Sequence, residues 1–411
     1  MRPRAAGFVL ILCGALSACG DRIPAAPGPP EATGFLHVLQ QPLVITYEID
    51  ATGHLRSPVT QTISTQLSAL AGEPEGRFVY AARGGWSSWQ SAVDGSGPAV
   101  VSYAPDPRNG TLSQVSEIAL GLQPAYSCPG CTDRVQWVWL RGGSHRVHGV
   151  WRHAWSTGRK PHRTHTYVAV AVAGDGQLGP VSQTMIGHDE DPGDVVVDVR
   201  ADVLYEAGNI YFPEPDDPQG GIQAYAIEAD GSLKRVGWSD RCLDTTMCDL
   251  CYASPLVTAR GFLFASRNDY HSPPTVCSYQ GLKLKPLNAL DLAASAAEAF
   301  VPSTEAKPAL LAMNATIDAG GVKREELRVL AMSNEGDLRT VYGEELPDRI
   351  TQLQFHPSGS FLYAVDAASR LRAYAVGGDG RLSLFMSGDH AGGSMAITLK
   401  DARPEAQNTG Q

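Results

Sequence analysis

One short turn signature recurs along this chain at intervals that a single layered core does not generate. A strand runs into an Asp/Asn-Gly turn closely followed by Leu. It occurs as Tyr47 and Asp50 to Gly53-His54-Leu55, Tyr103 to Asn109-Gly110-Thr111-Leu112, and Val170 to Asp175-Gly176-Gln177-Leu178. It returns as Tyr225 to Asp230-Gly231-Ser232-Leu233, Leu330 to Asn334-Glu335-Gly336-Asp337-Leu338, and Tyr374 to Asp379-Gly380-Arg381-Leu382. The glycines lie 57, 66, 55, 105 and 44 residues apart, the 105 spanning two repeats with one degenerate turn between. Such a period calls for units that stack on their neighbours to bury their faces.

The unit is clearest in Ile350 to Gly388. Four apolar runs, Ile350 to Phe355, Phe361 to Val365, Arg370 to Val376 and Arg381 to Met386, are separated by Pro357-Ser358-Gly359, Asp366 to Ser369 and Gly377 to Gly380. Short β-branched and aromatic runs between turn residues form strands of an antiparallel meander. Four strands per repeat select a propeller over a solenoid. The expected fold is all-β, a single seven-bladed β-propeller of four-stranded antiparallel blades. Blade 2 is expected over 65–118, blade 3 over 135–186, blade 4 over 194–239, blade 5 over 254–293, blade 6 over 300–343 and blade 7 over 350–387. The N-terminal end supplies only three strands, 35–39, 43–49 and 55–63, while 394–399 is left over at the other end. Placed innermost in blade 1, that C-terminal strand closes the ring and removes open edges.

The Y-x-I-x-x-D-G-x-L turn and the segment His356-Pro357-Ser358-Gly359-Ser360-Phe361-Leu362-Tyr363, echoed by Glu75 to Tyr80, resemble the seven-bladed lactonase-like propellers, the 6-phosphogluconolactonase-like and YVTN-type repeat proteins. The resemblance covers most of residues 35–399. It implies a propeller, and for the enzymes of the family an Arg/His/acid set near the central channel. No local motif transfers that set position by position, so the catalytic residues are unknown at this stage.

Before the repeats, Arg2 and Arg4 precede an apolar segment ending in Leu16-Ser17-Ala18-Cys19. A charged start, a short apolar stretch and small residues describe an export signal. The tetrad resembles a bacterial lipobox, which implies lipidation of Cys19. The expected organisation is a lipoprotein signal at 1–19, a Pro-rich tether at 20–34, the propeller at 35–400 and a disordered tail at 401–411. The expected address is the bacterial cell envelope, periplasmic or outer surface, with a lipid anchor as the only membrane contact. Cleavage before Cys19 removes two arginines and no acid, taking the formal charge from −10 to −12. That balance disfavours a nucleic-acid partner.

Six further cysteines, Cys128, Cys131, Cys242, Cys248, Cys251 and Cys277, suit three disulfides in an exported chain. Short loops favour Cys128 with Cys131, and two bridges among the other four. The two C-x-x-C pairs leave a four-thiolate zinc site as the alternative. No cofactor or resident metal is expected, and the chain is expected to be a monomer.

In such a meander, first-to-second and third-to-fourth turns share one face of the ring, and second-to-third turns and blade-to-blade links share the other. The second class holds the long segments, among them 84–98, 121–134, 156–164, 187–193, 213–220, 240–253 and 267–275. Binding residues concentrate in long loops on a rigid scaffold, so that face is the expected working face. On it, His162, Arg163 and His165 offer imidazole and guanidinium groups for a metal, a proton or an anion. The loop His188-Asp189-Glu190-Asp191 offers oxygens for a cation. Asp269 and His271 suit a general-base pair. Each cluster is also compatible with solvated or hydrogen-bonded strand and loop residues. The expected function is a ligand- or protein-binding scaffold acting on an unknown protein or small molecule; the alternative is a hydrolase of a sugar-type lactone.

Overall fold

In the computed structural model the described residues are 32–63, 67–84, 98–121, 134–143, 145–157, 160–188, 195–199, 201–208, 221–239, 251–269, 275–281, 284–290, 293–302, 308–318, 322–389, 393–400 and 402. For some strands, including 153–164 and 267–269, only the backbone course is described. The segments 1–19 and 403–411 lie outside this set, and so do Cys19, Cys128, Cys131, Cys242 and Cys248.

Twenty-eight strands form seven four-stranded antiparallel sheets. Blade 1 contains β1 (Ala32–Gln40), β2 (Leu43–Asp50) and β3 (Leu55–Thr62). Blade 2 contains β4 (Leu67–Gly72), β5 (Val79–Arg83), β6 (Ala99–Pro105) and β7 (Leu112–Ala119). Blade 3 contains β8 (Arg134–Gly142), β9 (Arg146–Thr157), β10 (Lys160–Val172) and β11 (Leu178–His188). Blade 4 contains β12 (Val195–Asp198), β13 (Val203–Gly208), β14 (Gly221–Ile227) and β15 (Leu233–Ser239). Blade 5 contains β16 (Cys251–Ala259), β17 (Phe262–Asp269), β18 (Thr275–Gln280) and β19 (Lys285–Leu290). Blade 6 contains β20 (Ala293–Phe300), β21 (Ala309–Asp318), β22 (Lys323–Met332) and β23 (Leu338–Leu346). Blade 7 contains β24 (Ile350–Phe355), β25 (Phe361–Asp366), β26 (Arg370–Val376) and β27 (Leu382–Asp389), and β28 (Met395–Leu399) follows. Blade 6 therefore starts at Ala293. The alanine-rich run 293–300 is the innermost strand of that blade and not a link.

The inner strands carry unbroken apolar runs because both of their faces are covered. In β25, Leu362 and Ala364 belong to the core against blade 6, while Tyr363 and Val365 belong to the core against blade 1. Seven such clusters exist, one in each seam of the ring. The outermost strands face water on one side and alternate, as in β7. Every third-to-fourth strand pair contains a register shift, for example between Ala373 and Tyr374, which adds twist to each blade.

The C-terminal strand completes blade 1 in the order β28-β1-β2-β3, with Val38 opposite Met395 and Gly34 opposite Leu399. It is also tied to blade 2, where Ser394 Oγ donates to the Leu70 carbonyl at 2.8 Å and accepts from the Leu70 amide at 2.9 Å. Blade 7 holds it through the Met395 amide, which donates to Gln352 Oε1 at 3.0 Å.

The register of blade 5 bears on the cysteines. Cys251 lies opposite Asp269 on β17 and Cys277 opposite Ala265, with β17 between them. Two strand spacings across and four residues along put their Cα atoms roughly 16 Å apart, beyond the roughly 7 Å reach of a disulfide. Cys251 and Cys277 therefore do not pair with each other. Among the described residues no helix is long and apolar enough to cross a membrane.

Candidate functional site

The innermost strands leave an axial channel of about 1200 Å3, lined by residues of β28, β4, β8, β12, β20 and β24. It runs from Val195, Thr351 and Ser394 at the strand starts to Glu73, Gly143, Asp202, Val301 and His356 at the first-to-second-strand turns. Its lining mixes apolar side chains with polar ones, Thr351, Gln352, Gln354 and Ser394 among them. Polar side chains converge at the end where the short turns lie.

The turns explain how they are held there. His356-Pro357-Ser358-Gly359 closes with the Gly359 amide donating to the His356 carbonyl at 2.8 Å, with Pro357 in the second position that type I and II turns favour. His356 is 5% exposed. Its Nδ1 accepts from the Ser358 amide at 3.2 Å and lies 2.8 Å from Ser358 Oγ. An accepting Nδ1 leaves the proton on Nε2, and Nε2 is buried with no hydrogen-bond partner. Burial lowers this imidazole to about 4, so it is neutral at physiological pH. Blade 2 repeats the turn as Glu73-Pro74-Glu75-Gly76. There the Glu73 carboxylate is clamped by Arg77, through Nε at 3.0 Å and Nη2 at 2.5 Å, and burial still pushes its carboxyl up.

Blade 3 contributes Arg141 near the end of β8, and blade 6 contributes Glu298 on β20. Arg141 Nη2 and Glu298 Oε1 are 3.6 Å apart. These blades are not neighbours, so the pair spans the axis. Burial pushes the Glu298 carboxyl up, against the pull of Arg141. His148 also lines this end; its Nδ1 meets the Tyr167 hydroxyl at 2.7 Å, and burial lowers it to about 4. At the rim, Arg146 faces Asp202 at 4.0 Å, and its Nη2 donates to the Ala229 carbonyl.

Those residues singled out from sequence that are described lie elsewhere. His162, Arg163 and His165 were expected in a loop over 156–164. They belong to β10, with His162 opposite Trp155, Arg163 opposite Ala154 and His165 opposite Arg152. The polar density there marks a long hairpin in which charged and apolar residues alternate at the strand period, as Val147 and Trp151 do with His148 and Arg152. His165 is fully buried in the blade and accepts a hydrogen bond from Arg152 Nε at 2.9 Å. His188 ends β11 opposite Thr164, and Asp269 ends β17 two blades away. Among the described residues these positions do not form one cluster. Asp189, Asp191 and His271 lie outside the described residues, as does most of the long-loop face.

Solved structures share this architecture. The chain is similar to a functionally unknown protein from Desulfotomaculum acetoxidans, with a TM-score of 0.53 and 11% identity over 89% of this chain and 99% of that one. At that identity the likeness establishes the fold alone. Weaker likenesses are to the WD40 repeats of RRP9 (TM-score 0.46, 12% identity, 81% and 84% covered) and to a chain of the mitotic checkpoint complex (0.49, 13%, 91% and 99%). No family model and no curated protein matches the sequence. The chain is a seven-bladed β-propeller, and its function has to be argued from its own residues.

Arg141, Glu298, Glu73 and His356 were not singled out as site residues. A signal existed: Glu73 and His356 each directly follow an innermost strand and precede Pro. Arg141 and Glu298 carry no such mark, because their encounter is created by ring closure.

Proposed function

We propose that this protein is an exported, lipid-anchored binding scaffold that holds a small polar ligand in its axial channel, at the end formed by the short turns. The export and anchor rest on the Leu16-Ser17-Ala18-Cys19 tetrad. One observation carries the ligand site: a transaxial Arg141–Glu298 pair, longer than a hydrogen bond, stands in an open channel. A ligand acceptor would complete the hydrogen bonding of the guanidinium. A thermal-shift screen of sugars, polyols, amino acids and small carboxylates tests the reading. The expected result is stabilisation of the unaltered chain that is lost in Arg141→Met; no stabilising molecule, or one that acts equally on both, would overturn it.

The lactone-hydrolase reading is favoured by the same convergence of cation, carboxylate and imidazole. Arg141 would polarise a lactone carbonyl and Glu298 would draw a proton from water. Turnover of sugar lactones that disappears in Glu298→Gln would convert the scaffold into an enzyme; the binding reading expects none.

A further inference from the structure

We propose that the channel takes up a small oxyanion together with one proton, the anion replacing Glu298 as the partner of Arg141 while Glu298 becomes a neutral carboxylic acid. This rests on the channel being the ligand site.

The groups awaiting partners are donors. At 3.6 Å the Arg141–Glu298 contact is an ion pair longer than a hydrogen bond. A planar guanidinium with five N–H groups is shaped for two-point contact with an oxyanion. A ligand rich in acceptors meets it.

Charge balance supplies the proton. Arg141 and Glu298 together are neutral, and an added anion would leave a net negative charge beside the buried Glu298 carboxyl. Protonation of Glu298 restores the balance: the proton comes from solvent, one carboxyl O–H bond forms, and nothing is oxidised or reduced. Burial already favours the neutral carboxyl, and transfer of Arg141 to the ligand removes the charge that opposes it. Other groups facing the channel act consistently with this. Glu73 and Glu75, just after β4, are both paired with Arg77, His148 and His356 are neutral, His145 also lines the channel, and Arg146 is engaged with Asp202 at the rim.

Calorimetry on the purified full chain tests it, with citrate, succinate and inorganic phosphate as probes, glucose as the neutral control, and buffer pairs of different ionisation heat at pH 6 and pH 8. At least one oxyanion is expected to bind with proton uptake approaching one per ligand. Its affinity should fall about tenfold per pH unit once Glu298 is ionised. In Glu298→Gln the uptake disappears and affinity becomes level with pH; in Arg141→Met binding is lost. Oxyanion binding without proton uptake, uptake that persists in Glu298→Gln, or no oxyanion binding would overturn the proposal. The buffer-pair measurement on the unaltered chain decides even if a variant fails to fold. Glucose binding that needs Arg141, with no oxyanion bound, would sink this proposal and leave the channel as a ligand site, whereas silence of every probe would sink both.

Discussion

At the scale of single residues, the recurring turn divides its work between two side chains. In Ala173-Gly174-Asp175-Gly176-Gln177, the Gly176 amide donates to the Ala173 carbonyl and only Gly176 has positive φ, +83°. Asp175 keeps an ordinary backbone and its carboxylate accepts the Gln177 amide at 3.0 Å. This is a three-residue hairpin loop with glycine in the left-handed position, not a two-residue turn that needs positive φ twice. The glycine has a second reason to be there: a Cβ on Gly176 would sit 2.5 Å from the Phe78 ring of the preceding blade. Gly53 is covered likewise by Phe361, and Gly336 by Phe262. Gly176→Ala should therefore cost about 2–4 kcal/mol, from left-handed strain plus overpacking. Gly261→Ala, with φ +77° and no described atom within 4 Å, should cost only about 1–2 kcal/mol. Urea unfolding of the two variants checks this, and equal losses would mean that the Phe78 contact contributes nothing.

At the scale of elements, the decisive strand is β28, because it is held from three blades at once. A buried histidine secures it internally: His37 Nδ1 lies 2.9 Å from Thr46 Oγ1, and Nε2 lies 2.9 Å from Thr398 Oγ1. One imidazole thus links β1 to β2 and to the C-terminal strand. Thr398→Val keeps the shape and leaves that nitrogen without a partner, which should cost about 1–3 kcal/mol. Ending the chain at Gly393 should do far more. It exposes the edge of β1 and removes Met395 and Ile397 from the core between blades 7 and 1. Sedimentation and denaturant unfolding of the two forms should give a destabilised monomer for the first and aggregation for the second.

At the scale of the molecule, three neutral histidines from separate blades couple stability to pH. Burial holds His37 at about 3, and His148 and His356 at about 4, each below the ordinary 6.5. The unfolded chain takes up those protons first. Stability is therefore fully present above pH 6.5 and is lost as the pH falls through that value toward 4, by on the order of 3 kcal/mol per histidine. Glu206, raised by burial to about 7, acts in the opposite sense: its charged form is penalised, and stability is recovered as the pH falls from about 7 to 4.5. Glu73 and Glu298, also pushed up by burial, act with Glu206; below about pH 4.5 such carboxyls are protonated folded and unfolded alike, while the histidines continue to destabilise the ring. His356→Asn should reduce the slope of unfolding free energy at pH 5 by about 1.4 kcal/mol per pH unit; an unchanged slope would mean that His356 is not buried neutral.

The repeat of turn residues, the doubly covered apolar runs and the spare strand at the C-terminus were enough to specify seven blades and how they close, because strand patterning and turn chemistry are local properties. The location of the polar site was not local. Dense charge around His162 and His165 looked like a loop and became a hairpin, since alternation along a strand hides polar groups as readily as it displays them. Arg141 and Glu298 are separated by three blades in one direction and four in the other, and no spacing in the chain announces that they meet. Ring closure alone brings them to the axis, where burial and a shared channel give ordinary surface residue types their charge relation.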